Sequence, residues 1–291
     1  MRLGALEAGG TKMVCATGDE TGHIEERAVF PTKTPAETVP QMIDFFRERA
    51  VEALGIASFG PVDPDPASPA FGHILHTPKI AWRGYDLAGV FRKALAVPVG
   101  FDTDVNGSLL GEVHFGCAKG ISNAVYYTIG TGIGAGILAE GHLLHGMQHP
   151  EAGHVLLRRE EDDTFEGCCP SHGACFEGLA SGVAIEKRWG RPAVELSDRP
   201  EVWDLESRYI AQALVGTICL LSPRIIILGG GVMEQAQLFP LIRGKVTQLL
   251  NGYLDTKELS DMEHYIVPAA CRGDQGILGC LILAGQTVNK G

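Results

Sequence analysis

No apolar run in this sequence reaches the ~18 residues that a membrane-spanning helix needs. The longest candidate, Ala211 to Leu221, is interrupted by Gln212 and Gly216 and ends just before Pro223. The opening Met1-Arg2-Leu3-Gly4-Ala5-Leu6-Glu7 sets an acid where a secretory signal would need its apolar core. Basic charge is scarce as well. Only 24 Lys and Arg stand against 35 Asp and Glu, a net charge of −11, which argues against nucleic-acid binding because that needs a basic face. The phosphate loop G-x-x-x-x-G-K-[ST] does not occur. No low-complexity linker and no repeat of 20–50 residues stands out. What these absences leave is a cytoplasmic globular protein with no nucleic-acid or membrane partner.

The 291 residues suit one or two domains. Hydrophobic residues at 45% and charged residues at 20% are ordinary for a globular chain. Glycine is not ordinary: 38 residues, about 13% against an average near 7%. The excess clusters at Gly9-Gly10, at Gly130, Gly132, Gly134 and Gly136, and at Gly229-Gly230-Gly231. Of eight cysteines, three fall within eight residues (Cys168, Cys169, Cys175). In a reducing compartment that crowding suggests metal rather than disulfides.

Residues 2–8, 12–17 and 22–30 read as three strands. A helix follows, with Thr34 as N-cap, Pro35 at its first position and Glu37 completing a capping box. A strand at 53–59 and a proline-rich loop at 60–80 lead to a helix at 87–96, a strand at 97–101 and a helix at 104–115. The second half repeats the pattern: strands at 122–130 and 133–139, an irregular stretch to about 175, helices at 181–190 and 203–221, a strand at 225–228, a helix at 238–251, a strand at 264–268 and a helix at 274–287. This order predicts two similar α/β halves.

Five segments could carry chemistry. In Glu7-Ala8-Gly9-Gly10-Thr11-Lys12, glycines at a hairpin tip would let backbone amides approach phosphate oxygens. Glu7 could hold Mg²⁺, and Thr11 and Lys12 could face phosphate; a plain Gly-Gly turn is the alternative. In Thr128-Ile129-Gly130-Thr131-Gly132-Ile133-Gly134, so dense a glycine turn is costly in entropy for a mere connection. Its G-x-G-x-x-A fit beginning at Gly134 is no dinucleotide fingerprint, because Glu140-Gly141 leaves no helix to receive a pyrophosphate. Gly229-Gly230-Gly231, between strand and helix, offers backbone for a nucleotide to lie against. Asp102-Thr103-Asp104-Val105-Asn106 opens a helix at a strand's carboxyl end, so an Asp there is either an N-cap or a general base. Finally, Glu151-Ala152-Gly153-His154 precedes Cys169-Pro170-Ser171-His172-Gly173-Ala174-Cys175. His154, Cys169, His172 and Cys175 make the donor set of a closed tetrahedral zinc site, with Cys168 as a spare. Glu177 is either a helix-start acid or a site carboxylate.

Glu7-x-Gly-Gly-Thr-Lys, Asp104-Val-Asn, Gly130-Thr-Gly-Ile-Gly, Glu151-x-Gly-His154, the cysteine–histidine cluster running into Glu177-Gly-Leu-Ala-Ser-Gly, and Gly229-Gly-Gly occur in the order found in the ROK family of sugar kinases and related repressors, which the chain resembles over nearly its whole length. Glu7 in place of Asp, Thr103 in place of Asn, and His172 in place of Cys resemble the bacterial fructokinase branch, as do Gly60-Pro61-Val62-Asp63 and Thr77-Pro78-Lys79.

The resemblance implies a two-domain actin-like ATPase (ribonuclease H-like) α/β fold with a central cleft. It divides the chain into an N-terminal domain, 1–117 plus 273–291, and a C-terminal domain, 118–272, with the zinc-binding segment 154–175. The activity it implies is ATP-dependent phosphorylation of a hexose, D-fructose to D-fructose 6-phosphate, with mannose, glucose or an N-acylated hexosamine as alternative sugars and a non-catalytic sugar-responsive regulator as an alternative role. Asp104 is then the base. Glu151, His154, Glu177, Gly60 and Thr103 contact the sugar. Gly9, Gly10, Thr11, Lys12, Gly130, Thr131, Gly132, Gly229, Gly230 and Gly231 serve ATP. Glu7 holds Mg²⁺, zinc is structural, and the assembly is a homodimer. His154 can serve two partners, one ring nitrogen on zinc and the other on sugar.

Overall fold

The computed structural model describes residues 1–288; the final three residues of the expected N-terminal domain, 289–291, lie outside the described residues. The chain divides into two compact units. Unit one comprises Met1–Gly120, Leu143–Pro150 and the segment from Ala270, and unit two comprises Ile121–His142 and Glu151–Ala269.

In unit one, strands β1 (Leu3–Ala8), β2 (Lys12–Gly18), β3 (Ile24–Pro31), β4 (Ala53–Ser58) and β7 (Val99–Thr103) form a sheet in the order β3-β2-β1-β4-β7, while β5 (His73–Ile74) and β6 (Tyr85–Asp86) pair separately. β1 and β2 are antiparallel; β1, β4 and β7 are parallel. In unit two, β8 (Ala124–Ile129), β9 (Ile133–Ala139), β10 (His142–Leu143), β11 (Ile225–Gly229) and β12 (Ile266–Pro268) follow the order β10-β9-β8-β11-β12. The same plan therefore occurs twice: a hairpin, then two parallel neighbours reached by helical crossovers.

Side chains alternate across the first sheet, as strand geometry requires. Leu6, Ala8, Leu54 and Ile56 pack with Phe45, Phe46 and Phe91 on helices α1 (Pro35–Glu48) and α2 (Leu87–Leu95). On the other face, Ala5, Ala16, Ala53 and Ala57 meet Ile277, Cys280, Leu281 and Ala284 of the last helix, Gln275–Val288. Alanines there let that helix lie close to the sheet. The core of unit two joins its sheet to α4 (Phe176–Ala180), α5 (Gly182–Trp189), α6 (Pro200–Leu221) and α7 (Leu238–Leu250), around Tyr127, Phe176, Trp203 and Tyr209.

The capping box at Thr34 forms, with the Thr34 N–H donating to Glu37 at 3.3 Å. One expected element is displaced, and one short helix is additional. The strand expected at 97–101 runs over 99–103, because Ala96 closes α2 in the left-handed region and Pro98 has no N–H to give a ladder. The helix expected at 181–190 runs over 182–189 as α5, where the extended Ser181 caps it by accepting the Ala184 N–H, and a separate short helix, α4, precedes it at 176–180.

Candidate functional site

Both units carry their sequence motifs at the carboxyl ends of parallel strands, where open α/β sheets present ligands. In unit one, Glu7 pairs in register with Ala57, and Ala57 with Asp102. Glu7 and Asp102 therefore share one row of the sheet two strands apart, roughly 10 Å at ordinary strand spacing. The β1–β2 tip closes through Gly9 N–H donating to Lys12 O at 3.0 Å, and Thr11 and Lys12 are exposed beside it. Burial raises the Glu7 carboxyl above its ordinary range, against the pull of Lys12 and Arg27. Gly276 is the reason for that burial: a Cβ there would lie 2.6 Å from the Glu7 carboxyl carbon. The last helix thus walls in Glu7 with bare backbone.

At the end of β7 the roles of three neighbours separate. Thr103, buried, is the N-cap of α3 (Asp104–His114), its hydroxyl accepting the Asn106 N–H at 3.1 Å. Asp104 is consequently the first helical residue rather than the cap, half-buried, with Oδ1 accepting the Val105 N–H at 2.9 Å. Asp102 is buried and takes three donors: Thr103 N–H at 2.7 Å, Asn106 Nδ2 at 2.7 Å and His145 Nε2 at 2.8 Å.

His145 belongs to a segment the sequence did not mark. Leu143–Pro150 belongs to unit one and carries three polar anchors. Besides His145, His149 Nε2 accepts the Val62 N–H at 3.2 Å, and Gln148 Nε2 donates to Val62 O at 3.4 Å. Gly60 lies against the same imidazole: a Cβ there would stand 3.4 Å from His149 Cε1. No periodicity or metal-ligand spacing distinguishes His145, Gln148 and His149; two histidines four apart beside a glycine were the only available signal.

In unit two the glycine segments converge. Gly130 N–H donates to Gly132 O at 2.9 Å, closing the β8–β9 tip, and Gly182 N–H at the start of α5 donates to Gly130 O at 2.7 Å. Gly230 has φ +90°, and a Cβ there would collide with the Ile129 backbone. Gly230 is thus held directly against the strand that leads into Gly130, while Gly231 and Thr131 are exposed. Glu177 meets the same tip, its Oε2 accepting the Ile133 N–H at 3.0 Å.

Glu151 and His154 lie on one 3₁₀ turn, with His154 N–H donating to Glu151 O at 2.9 Å. Cys169 and Gly173 exchange backbone hydrogen bonds across the turn that carries His172, and Cys175 caps α4. The donor atoms of His154, Cys169, His172 and Cys175 all lie within 4.8 Å of one another. Three sulfur–nitrogen separations are 3.8, 3.6 and 3.6 Å, from Cys169 to His154 and His172 and from Cys175 to His154. Bonds of ~2.3 Å to sulfur and ~2.0 Å to nitrogen at tetrahedral angles put such donors about 3.5 Å apart. The set therefore fits a tetrahedral cation. Burial pushes the Cys175 thiol up to about 11, opposed by the Gly178 N–H, and a bound cation would hold it as thiolate instead. Cys168 is not in the set. No helix among the described residues is long and apolar enough to cross a membrane.

The ROK family model matches residues 3–287. A Bacillus subtilis (strain 168) relative is 53% identical over 98% of this chain and 96% of its own length. The fructokinase of Pediococcus pentosaceus is 45% identical over 98% of both chains, and that of Streptococcus mutans 42% identical over 97% of this chain and 96% of its own. Among solved structures, the ROK hexokinase of Thermus thermophilus superimposes with a TM-score of 0.79 over the whole of both chains at 24% identity. The ROK family glucokinase of Streptomyces griseus, solved with glucose and AMPPNP, gives 0.76 over 98% of this chain and all of its own, also at 24%. The fold is the two-domain actin-like ATPase fold of these kinases, and the chain belongs to the ROK family.

Proposed function

We propose that this protein is a cytoplasmic sugar kinase that transfers the γ-phosphoryl group of ATP to the C6 hydroxyl of D-fructose, giving D-fructose 6-phosphate. The observation that carries this reading is near-full-length identity of 45% and 42% to proteins named fructokinases, joined to an aspartate that opens a helix without capping it. Thr103 supplies the N-cap, and Asp104, whose Oδ1 accepts the Val105 N–H, opens the helix at the carboxyl end of β7, where its carboxylate would serve the reaction.

Phosphoryl transfer asks a protein mainly for positioning and charge stabilisation. Asp104 would accept the proton of the attacking hydroxyl, its ionised form favoured by the N-terminal end of α3. Thr103 supports it from the cap, and Gly60 leaves room for the sugar beside the Val62 loop. Glu151, His154 and Glu177 would hold other sugar hydroxyls, Glu177 also fixing the glycine tip through Ile133. The His154 Nδ1 faces the cysteines, which leaves Nε2 for a sugar hydroxyl.

Gly130, Thr131 and Gly132, braced by Gly182, would receive phosphates, with Gly229, Gly230 and Gly231 along the nucleoside. Gly9, Gly10, Thr11 and Lys12 would serve the phosphate chain from unit one. Glu7 would hold Mg²⁺: a buried carboxyl above its ordinary range is one that a divalent cation would return to the ionised state. When bound, Mg²⁺ would neutralise phosphate charge. Zinc at His154, Cys169, His172 and Cys175 leaves no open position and would be structural. A homodimer is the assembly that the family resemblance implies, and sedimentation measures it.

A coupled ADP-release assay over fructose, glucose, mannose and N-acetylmannosamine tests the function. The expected result is the highest kcat/KM with fructose. A higher value for glucose or N-acetylmannosamine overturns the fructose assignment, and no release with any hexose overturns the kinase reading.

A further inference from the structure

Asp102 is a buried carboxylate with one strictly local set of donors and one distant donor. Thr103 and Asn106 lie one and four residues away on the same strand–helix junction, whereas His145 comes from 43 residues downstream. Burying a carboxylate is costly unless hydrogen-bond donors or a charge partner surround it. Its side chain is 5% exposed, and the imidazole that reaches it is 35% exposed. His145 is thus in contact with bulk solvent protons while Asp102 is not. The arrangement is a half-exposed base clamped on a buried acid, two residues from the proposed catalytic base.

We propose that His145 is a positioning residue for Asp104: by holding Asp102 it fixes the first turn of α3, and by carrying a proton it offsets the negative charge beside the proposed base. This inference rests on the reading of Asp104 as the base.

The groups facing His145 are Asp102 on β7 and Asp65 in the loop after β4, and the hydrogen bond to Asp102 is the larger of the influences that raise the imidazole above its ordinary range, against burial. His145 is therefore protonated further into the neutral range than a free histidine. While it is protonated, the His145–Asp102 pair is neutral overall. Asp104 then faces a neutral pair instead of a second anion. The geometric part is independent of charge. Asp102 Oδ1 ties Thr103 and Asn106 together, so a carboxylate free to rotate would loosen the cap that orients Asp104.

Two variants separate these parts. His145→Gln keeps a donor but removes the charge, and should move the acid limb of the kcat/KM profile for fructose upward by about one pH unit, with kcat at pH 8 within a few-fold of wild type. His145→Leu removes both and should lower kcat by about 10–100-fold at every pH, with the KM for ATP little changed. His149→Leu, which releases Val62 on the same segment without touching Asp102, should leave the acid limb in place. Thermal unfolding of each variant checks that the fold persists. Independently of activity, the imidazole of His145 followed by NMR should titrate above the ordinary histidine range in wild type and fall back in Asp102→Asn.

An ordinary titration in wild type overturns the pair. An active wild type whose acid limb is unmoved in His145→Gln overturns the electrostatic role, and unchanged kcat in a folded His145→Leu overturns the positioning role. A wild type without hexose kinase activity overturns the reading of Asp104 itself and, with it, the role of His145, while the NMR titration still reports whether the pair exists.

Discussion

The N–H of Cys271 donates to Oε1 of Glu112 at 3.0 Å, joining residues 159 positions apart. Ala270 N–H adds a second bond to the same oxygen at 2.9 Å, and Oε2 takes the N–H and thiol of Cys117 at 3.1 and 3.2 Å. Glu112 is fully buried, so four donors depend on one carboxylate. Glu112→Gln keeps the shape but turns an amide NH₂ toward two of those donors. The expected loss is about 2–4 kcal/mol, because buried donors left unpaired cost their desolvation. Urea unfolding measures it; an unchanged midpoint refutes the account.

Asp104→Asn removes the proposed base while leaving the Thr103 cap in place. Turnover with fructose should fall by on the order of 10²–10⁴, with the melting temperature close to wild type. If phosphorylation stays within a few-fold of wild type, Asp104 is only the first residue of a helix.

Cys169→Ser and Cys175→Ser should each reduce bound zinc and raise the KM for sugar by about 10–100-fold, with little change for ATP. His154 is the link, since it shares its turn with Glu151 and its Nδ1 with the cysteines. Metal analysis and paired titrations decide this. One zinc per chain in the variants, or normal sugar KM in zinc-free protein, would count against it.

Glu206 lies fully buried on α6, and its Oε1 has no hydrogen-bond partner among the described residues. Burial raises its carboxyl well above the ordinary range, with Arg188 pulling the other way. The folded protein then holds a proton that the unfolded chain releases above about pH 4.5, so this group lowers stability progressively as pH rises from there. Glu206→Gln removes the effect. The gain in stability over wild type should grow by up to about 1.4 kcal/mol per pH unit between pH 5 and 8. Equal melting curves for the two proteins across that range would show that Glu206 is ionised in the fold.

The sequence was most readable where chemistry forces a residue type. Only glycine allows Gly230 to lie on the Ile129 backbone, and only soft or borderline donors make the His154, Cys169, His172, Cys175 set, so composition and spacing exposed both. The cap at Thr103 was harder to read, because a strand placed two residues early hid that junction. His145, Gln148 and His149 were invisible for a different reason. Their partners, Asp102 and Val62, are distant in sequence, and nothing local distinguishes a histidine in an irregular stretch from one bonded to a buried acid. The Glu177 bond to Ile133 shares this long-range character, which is why its two readings could not be separated.

The last helix packs on one face of the first sheet, through Ile277, Cys280, Leu281 and Ala284 against Ala5, Ala16, Ala53 and Ala57. During synthesis those strands emerge first and their cover emerges after the whole of unit two. Until then the alanine-faced side of that sheet lacks its helix. Unit one therefore cannot complete its core before the whole of unit two has been made.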